Sequence, residues 1–340
     1  MEFDFTKRLT KKRKQEFADL MIGLSKLIGF KVSSRGWAYI MEQKGYINKD
    51  QFDRVADAIN DCRKQGFLPV DFVAEEKARE FSGVETPDDR TLESILRWMV
   101  SDVLTGHKYY MPDWWNGEQY YIQMVVEKVD LVSLFEPICR EYHIPVANSK
   151  GWSSISQRAE YARRFREAED LGLQCVLLYC GDHDPDGLRI SETLRSNLED
   201  VKDVVFEDGK RGYDPQDLII DRFGLNYNFI LENGFTWIDN LITGSGKNLA
   251  SPSHPNNGMP YVQEYLKDVG VRKCEANVVV TLPAVAKKLC TEAIEKYVGD
   301  GALERFRIKT TEIQEQYEEL LEQYEIKEPI QRILDEIDEE

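Results

Sequence analysis

The sequence lacks the simple signals that would place it in several common classes of protein. Its six cysteines never form a Cys-x-x-Cys pair, so the spacing typical of zinc sites is missing. No apolar run approaches the ~20 residues that span a membrane, and the acidic residues near the start are unlike a secretory signal. These absences predict a soluble cytoplasmic protein whose cysteines are buried thiols.

Acidic residues outnumber basic ones, with 61 Asp and Glu against 44 Lys and Arg. The chain has a net charge of -17, and residues 312–340 alone contain 12 acidic and two basic residues. A field of this sign opposes association with nucleic acid. Binding to DNA would therefore depend on a local basic face or on a divalent metal. One basic cluster lies near the N-terminus, at Lys7, Arg8, Lys11, Lys12, Arg13 and Lys14.

A complete nucleotide-binding loop is missing as well. The run Gly244-Ser245-Gly246-Lys247 resembles part of a phosphate-binding loop, but the full motif needs glycine at 241 and serine or threonine at 248. The chain has Leu241 and Asn248 there. The sequence therefore gives no sign of an ATPase of that type.

Two apolar, β-favouring runs that end in carboxylates are the most informative features that are present. The first segment covers residues 121–128, and its apolar run leads into Glu127. The second covers residues 175–187, and its apolar run leads into Asp182 and Asp184. Such runs predict buried parallel strands whose carboxyl ends meet, which is where open α/β sheets place their ligand sites. Carboxylate oxygens suit Mg²⁺ and the phosphates it carries. Glu127 would complete the ligand set or act as acid and base on a leaving oxygen; the alternative is a solvated turn.

The order of predicted elements gives the fold class. Residues 1–82 contain helical patterns near 1–30, after Ser33 or Ser34, and after Asn48, followed by a brief β-like element at 67–70. They fit a winged helix-turn-helix, or a helical bundle without DNA contact. Residues 83–118 form a connector. From residue 119 strands alternate with helices, with strands expected at 144–147, 175–180, 204–206 and 278–280, which predicts a mainly parallel α/β sheet. An acidic helical tail follows from residue 309 to 340.

Three motifs of the chain resemble those of a known family. They are Val126-Glu127-Lys128, Gly151-Trp152-Ser153-Ser154 and Gly181-Asp182-His183-Asp184-Pro185-Asp186-Gly187. Together they resemble the Toprim domain of the topoisomerase VI A subunit and the related meiotic double-strand-break protein, and the short stand-alone "mini-A" proteins in particular. In that family a winged-helix domain precedes the Toprim domain, which would occupy residues 119–308 here. A nucleophilic tyrosine follows an arginine by four residues, as Tyr39 follows Arg35.

The resemblance implies a type IIB topoisomerase-like DNA transesterase. Tyr39 would attack a phosphodiester of double-stranded DNA and form a 5′-phosphotyrosyl link, with Arg35 stabilising the phenolate or the phosphate. Mg²⁺ would be held by Glu127, Asp182 and Asp184, and Lys128 would touch the phosphate. A C2 homodimer would cut both strands, because the family's tyrosine meets the Toprim site of the other subunit. An ATPase B-like subunit would be a separate chain.

Two alternatives remain open. A Toprim nuclease would use the same metal site with water as the nucleophile. A DNA-binding accessory protein of a mobile element would not be catalytic at all, and Tyr39 would then be a packing residue. His183 either contacts phosphate or points away from the metal. Arginines on the helix after Ser153 either decorate a solvated face or grip DNA: Arg158, Arg163 and Arg164.

Overall fold

The computed structural model describes residues 9–74, 87–149, 154–242 and 246–339. The chain divides into two compact units: a larger one of residues 1–77 and 119–297, and a smaller one of residues 78–118 and 298–340. No helix in the described ranges is long and apolar enough to cross a membrane. Some residues used in the sequence analysis lie outside these ranges: Lys7, Arg8, Gly151, Trp152, Ser153, Gly244 and Ser245.

Three helices open the larger unit, as predicted: α1 (Lys11–Ile28), α2 (Ser34–Gln43) and α3 (Phe52–Lys64). Ser33 caps α2, because its hydroxyl accepts a hydrogen bond from the Gly36 N–H at 3.1 Å. The β-like element predicted at 67–70 is wrong. The N–H groups of Phe67 and Leu68 both donate to the carbonyl of Cys62, so they close the end of α3 instead. Across residues 9–74, β structure is limited to a bridge between Val32 and Val73.

A four-stranded, all-parallel sheet forms the centre of the larger unit. Its strands are β1 (Tyr120–Val126), β2 (Val146–Asn148), β3 (Gln174–Cys180) and β4 (Ile219–Gly224), in the order β2-β1-β3-β4. Six consecutive residues in each of β1 and β3 are buried, as expected for central strands covered on both faces. The predicted α/β class with a parallel sheet is confirmed.

The chain changes direction between β1 and β3. Helix α5 (Val129–Glu141) connects β1 to β2, and α6 (Ile155–Asp170) connects β2 back to β3. Because parallel crossovers are right-handed, these opposite moves put α5 and α6 on opposite faces of the sheet. The crevice between the carboxyl ends of β1 and β3 is therefore the topological switch point. Val126 pairs with Cys180, so the two strands end level with each other.

The remaining elements of the larger unit differ partly from expectation. The strand predicted at 278–280 is wrong, since Ala276–Thr281 is a 3-10 helix; at 204–206 Val205 forms an isolated bridge with Arg211. β4 was not predicted, because Asp221 and Arg222 interrupt its apolar run. The helices are α7 (Pro185–Leu188), α8 (Ile190–Glu199), α9 (Tyr227–Glu232), α10 (Pro260–Asp268) and α11 (Pro283–Val298).

The smaller unit is helical in its described part. It contains α4 (Leu92–Asp102), a 3-10 segment at Val103–Tyr109, α12 (Ala302–Gln323) and α13 (Lys327–Glu339). The predicted acidic tail is therefore helical but broken near Glu325, whose φ is 52°. Tyr317 on α12 donates a hydrogen bond to the carbonyl of Val103 at 2.7 Å. The six cysteines of the chain are free and buried, as predicted.

Candidate active site

The switch point of the sheet brings Glu127 and Asp182 together. Glu127 follows β1, and its N–H donates to the carbonyl of Cys180 at 3.0 Å. Asp182 follows β3 by two residues, and its N–H donates to Glu127 Oε2 at 2.7 Å. The N–H of Ala276 donates to Asp182 Oδ1, also at 2.7 Å. Backbone groups therefore orient both carboxylates before any ligand is bound.

Lys128 lies between the two carboxylates. Its Nζ is 2.6 Å from Glu127 Oε1 and 2.9 Å from Asp182 Oδ2. Each of the three side chains is mostly buried, so the charges attract with little screening from water. We call Glu127, Lys128, Asp182 and Asp184 the acidic cluster.

The surroundings of the acidic cluster shift the pKa values of Asp182 and Glu127 in opposite directions. Burial, followed by the charge of Glu127, raises the pKa of Asp182 to about 7. Burial also disfavours the ionised form of Glu127. The ammonium of Lys128 and the hydrogen bonds that Glu127 accepts outweigh this effect and hold the pKa of Glu127 below its usual range. Burial alone would lower the pKa of Lys128, yet its two carboxylate partners raise it. Neighbouring carboxyl groups whose pKa values are shifted in opposite directions are typical of functional sites.

Asp184 belongs to the same loop but is held differently. It is the N-cap of α7, and its Oδ1 accepts a hydrogen bond from the Gly187 N–H at 2.6 Å. Burial is the main cause that raises its pKa. A Cβ atom on Gly187 would collide with the carbonyl oxygen of Asp182, which explains why this loop requires glycine there.

The donor set of the acidic cluster fits a hard divalent cation. The carboxylates of Glu127, Asp182 and Asp184 offer oxygen atoms, which Mg²⁺ prefers. A cationic group, the ammonium of Lys128, already bridges two of them. Among the described residues, no three acidic, histidine or cysteine side chains meet in metal-binding geometry. Binding a metal would therefore require Lys128 to turn aside and Asp184 to offer its second oxygen.

Arg222 on β4 braces the loop that carries Asp182 and Asp184. Its guanidinium donates to the carbonyls of Asp182 at 2.9 Å, Gly187 at 3.1 Å and Leu225 at 2.6 Å. The sequence analysis missed this residue. An arginine inside the apolar run Ile219-Ile220-Asp221-Arg222-Phe223 was the available signal, since a buried cation needs partners.

His183 points away from the acidic cluster. Its side chain is 2 % exposed, its Nδ1 lies 3.1 Å from the Tyr265 hydroxyl, and its ring contacts Tyr227 and Trp237. Burial lowers its pKa to about 4, so the ring is neutral near pH 7. This geometry agrees with the second possibility considered for His183, a side chain that points away from the metal site.

Tyr39 lies on α2, and its hydroxyl is hydrogen-bonded to Glu275. The side chain is 2 % exposed and packs edge-to-face against Phe52, with ring centroids 4.9 Å apart. Its hydroxyl donates to Glu275 Oε2. Nη2 of Arg35, which is 67 % exposed, lies 3.6 Å from the same oxygen. We call Arg35, Tyr39 and Glu275 the tyrosine cluster.

The surroundings of the tyrosine cluster keep the phenol protonated. Burial and then the charge of Glu275 raise the pKa of Tyr39, and Arg35 lowers it only in part. Two further cations are near. Nζ of Lys273 lies 3.8 Å from Glu275 Oε1. Nζ of Lys49 is buried without a hydrogen-bond partner among the described residues, and burial lowers its pKa.

One short segment connects the two clusters. Glu275 accepts the hydrogen bond from Tyr39, and the next residue, Ala276, donates its N–H to Asp182. The helix that carries Tyr39 is also fixed to the sheet, since Asp130 at the start of α5 accepts from the N–H and hydroxyl of Ser33, both at 2.6 Å. The five catalytic residues predicted from sequence therefore all lie in one unit, grouped into two adjacent clusters. The sequence analysis assigned no role to Glu275, because its partner Tyr39 lies 236 positions away.

The arginines of α6 are paired with acidic side chains. Arg163 contacts Glu160 at 2.8 Å and Glu167 at 2.6 Å, and Arg164 contacts Glu160 at 2.7 Å. Such pairs at helical spacing are typical of a solvated helix face.

Comparison with known proteins gives no relative from which a function could be transferred: none of the protein-family models, curated proteins or solved structures compared with this chain matches it.

Proposed function

We propose that this chain cleaves double-stranded DNA by transesterification, in the manner of the topoisomerase VI A family that its motifs resemble. Tyr39 is the nucleophile, and the product is a 5′-phosphotyrosyl link with a free 3′-hydroxyl. One observation carries the proposal. A tyrosine with an arginine one helical turn before it is connected through Glu275 and Ala276 to a carboxylate at the switch point of a parallel sheet.

Each cluster has a part in this reaction. Arg35 is largely exposed next to the Tyr39 hydroxyl, so its guanidinium can form a bidentate contact with two non-bridging oxygens of a phosphate. Glu127, Asp182 and Asp184 would hold the metal. A bound Mg²⁺ supplies Lewis-acid neutralisation of the charge that develops on the phosphate. Lys128, displaced from the carboxylates, remains close enough to meet the same phosphate.

The covalent link has an energetic consequence. A phosphotyrosyl diester conserves the energy of the broken phosphodiester, so the 3′-hydroxyl can reseal the break without a cofactor. Two copies of the chain, related by C2 symmetry, would cut the two strands of one duplex, and as the resemblance implies each Tyr39 would act with the acidic cluster of the other copy. ATP-driven strand passage would need a separate ATPase subunit. The net charge of -17 opposes association with DNA, so we expect binding to need low salt or a divalent metal.

A covalent-trapping assay tests the proposal. The purified chain is incubated with supercoiled plasmid and Mg²⁺, quenched with detergent, and examined for protein attached to DNA 5′ ends. We expect adducts in the wild type and none in Tyr39→Phe. The double variant Asp182→Ala with Asp184→Ala should bind DNA without cutting it. Failure of the wild type to form any adduct would refute the proposal.

A hydrolytic nuclease is the second candidate, and one observation favours it. Tyr39 is almost fully buried and its pKa is raised, so water is the more accessible nucleophile in this conformation. This candidate predicts cleaved DNA without an adduct, and Tyr39→Phe would then cut as well as the wild type does.

A further inference from the structure

We propose that Glu275 is the general base that accepts the phenolic proton of Tyr39. This inference rests on the function proposed above and adds a catalytic residue to it. The geometry carries it: the Tyr39 hydroxyl donates directly to Glu275 Oε2, and Nη2 of Arg35 lies 3.6 Å from that same oxygen. A base must be within hydrogen-bond reach of the proton it removes.

The transfer leaves the total charge of the tyrosine cluster unchanged. Before the reaction Arg35 is positive, Glu275 negative and the phenol neutral. When the proton moves from Tyr39 Oη to the carboxylate, Glu275 becomes neutral and the negative charge moves to the phenolate. Arg35 then faces the phenolate instead of the carboxylate, so its attraction is retained in the nucleophilic state. Little solvent reorganisation is needed, because the charges are already in place.

The bond changes balance as follows. Tyr39 Oη forms a bond to phosphorus, and the bond from phosphorus to the 3′-oxygen breaks. The 3′-oxygen takes a proton from water and leaves a hydroxide ion in the solvent, which takes the proton of the 3′-hydroxyl back in the reverse reaction, while the phenolic proton stays on Glu275. In the reverse direction the 3′-hydroxyl attacks phosphorus, and Tyr39 recovers its proton from Glu275.

Several charged side chains lie around Glu275. Cationic side chains approach Glu275 from the N-terminal helices and from its own segment. Burial keeps the neighbouring Cys274 thiol neutral by raising its pKa to about 12. The charged neighbours are Arg35, Glu42, Lys49 and Lys273.

Glu275→Gln is the main test, since glutamine retains the size of the side chain and an oxygen that accepts the hydrogen bond. We expect covalent adducts to form at least about 100-fold more slowly in single-turnover assays. The wild-type rate should depend little on pH between about pH 6 and 9, because the base is built in. The variant rate should rise about tenfold per pH unit, because hydroxide must then remove the proton. Formate or acetate should partly restore Glu275→Ala.

A modified substrate separates base from acid catalysis. A duplex with sulfur in place of the 3′-bridging oxygen has a leaving group that needs no proton. A residue that protonates the leaving group becomes dispensable with this substrate, whereas a residue that deprotonates Tyr39 does not. The defect of Glu275→Gln should therefore persist in full.

Glu42→Gln is the matched control, because Glu42 lies on the same helix as Tyr39 and is close enough to feel the charge of Glu275. It should form adducts within about threefold of the wild-type rate, with the wild-type dependence on pH. If the wild type forms adducts and Glu275→Gln does so equally fast or faster, the inference is overturned and Glu275 is instead a restraint on Tyr39. A wild type without adducts overturns the proposed function and the inference together.

Discussion

The acidic cluster and the tyrosine cluster lie in the same unit but are held by different kinds of contact. In the acidic cluster the carboxylates accept hydrogen bonds from backbone N–H groups of Asp182, Ala276 and Gly187. In the tyrosine cluster, Arg35, Tyr39 and Glu275 contact one another through side chains alone.

This difference separates a preorganised site from an adjustable one. Backbone donors are held in place by the sheet and by Arg222, so the carboxylate oxygens that accept hydrogen bonds from them are restrained by the loop itself. Side-chain contacts break and re-form by rotation about single bonds, without a change in the backbone. A metal ion needs fixed ligands, whereas a nucleophile that must reach a phosphate needs freedom to move. Four substitutions test the comparison, and they follow from the largest expected effect to the smallest.

Lys128→Met should have the largest effect on stability. It removes the cation between Glu127 and Asp182 and leaves two buried carboxylates without compensation, which typically costs about 3–5 kcal/mol of unfolding free energy. Because a divalent ion would replace the missing charge, Mg²⁺ should raise the melting temperature of the variant more than that of the wild type. Thermal unfolding with Mg²⁺ and with a chelator measures both. Equal Mg²⁺ shifts in the two proteins would argue against a metal at this position.

Particular residues show how far sequence could predict these clusters. Glu127 and Asp182 were predicted to lie together because each follows an apolar run, and the parallel register of β1 and β3 makes the strand ends meet. Local pattern also gave Ser33 or Ser34 as the cap of α2, and the structure shows that it is Ser33. These features depend on neighbours in the chain.

Features that depend on distant partners could not be predicted. The run Val278-Val279-Val280 has the composition of a buried strand, but Ala276 is held by Asp182 and Cys274 pairs with His183, so the segment winds into a 3-10 helix. β4 contains Asp221 and Arg222, which look like loop residues until their partners are known. The bond between Tyr39 and Glu275 has no local signature at all.

Alanine at two glycines compares the loop that carries Asp182 and Asp184 with the helix that carries Arg35 and Tyr39. A Cβ on Gly187 would collide with the backbone carbonyl of Asp182, whereas a Cβ on Gly36 would meet the side chains of Val32 and Asp130. Side chains can yield more easily than backbone, so we expect Gly187→Ala to cost about 3 kcal/mol and Gly36→Ala about 1 kcal/mol. Chemical denaturation measures both values.

The control for these two variants is Gly23→Ala in α1, where an added Cβ has no atom within 4 Å. It should stabilise the protein by about 0.5–1 kcal/mol through helix propensity. A larger loss for Gly36→Ala than for Gly187→Ala would reverse the proposed order of stiffness.

Asp182→Asn should have the smallest effect, and one of opposite sign. The folded-state pKa of Asp182, about 7, lies above its ordinary value of 3.8, so the folded protein binds this proton more tightly than the unfolded chain does. Its contribution to stability is present below about pH 4 and is lost as pH rises towards 7. Asparagine retains the acceptor for the Ala276 N–H and removes the repulsion with Glu127. Without metal, the variant should therefore match the wild type near pH 4 and exceed it by about 1 kcal/mol near pH 8, while losing cleavage. Urea unfolding at the two pH values measures the difference; a variant less stable than the wild type at pH 8 would mean that Asp182 is held in the acidic cluster for stability and not for a ligand.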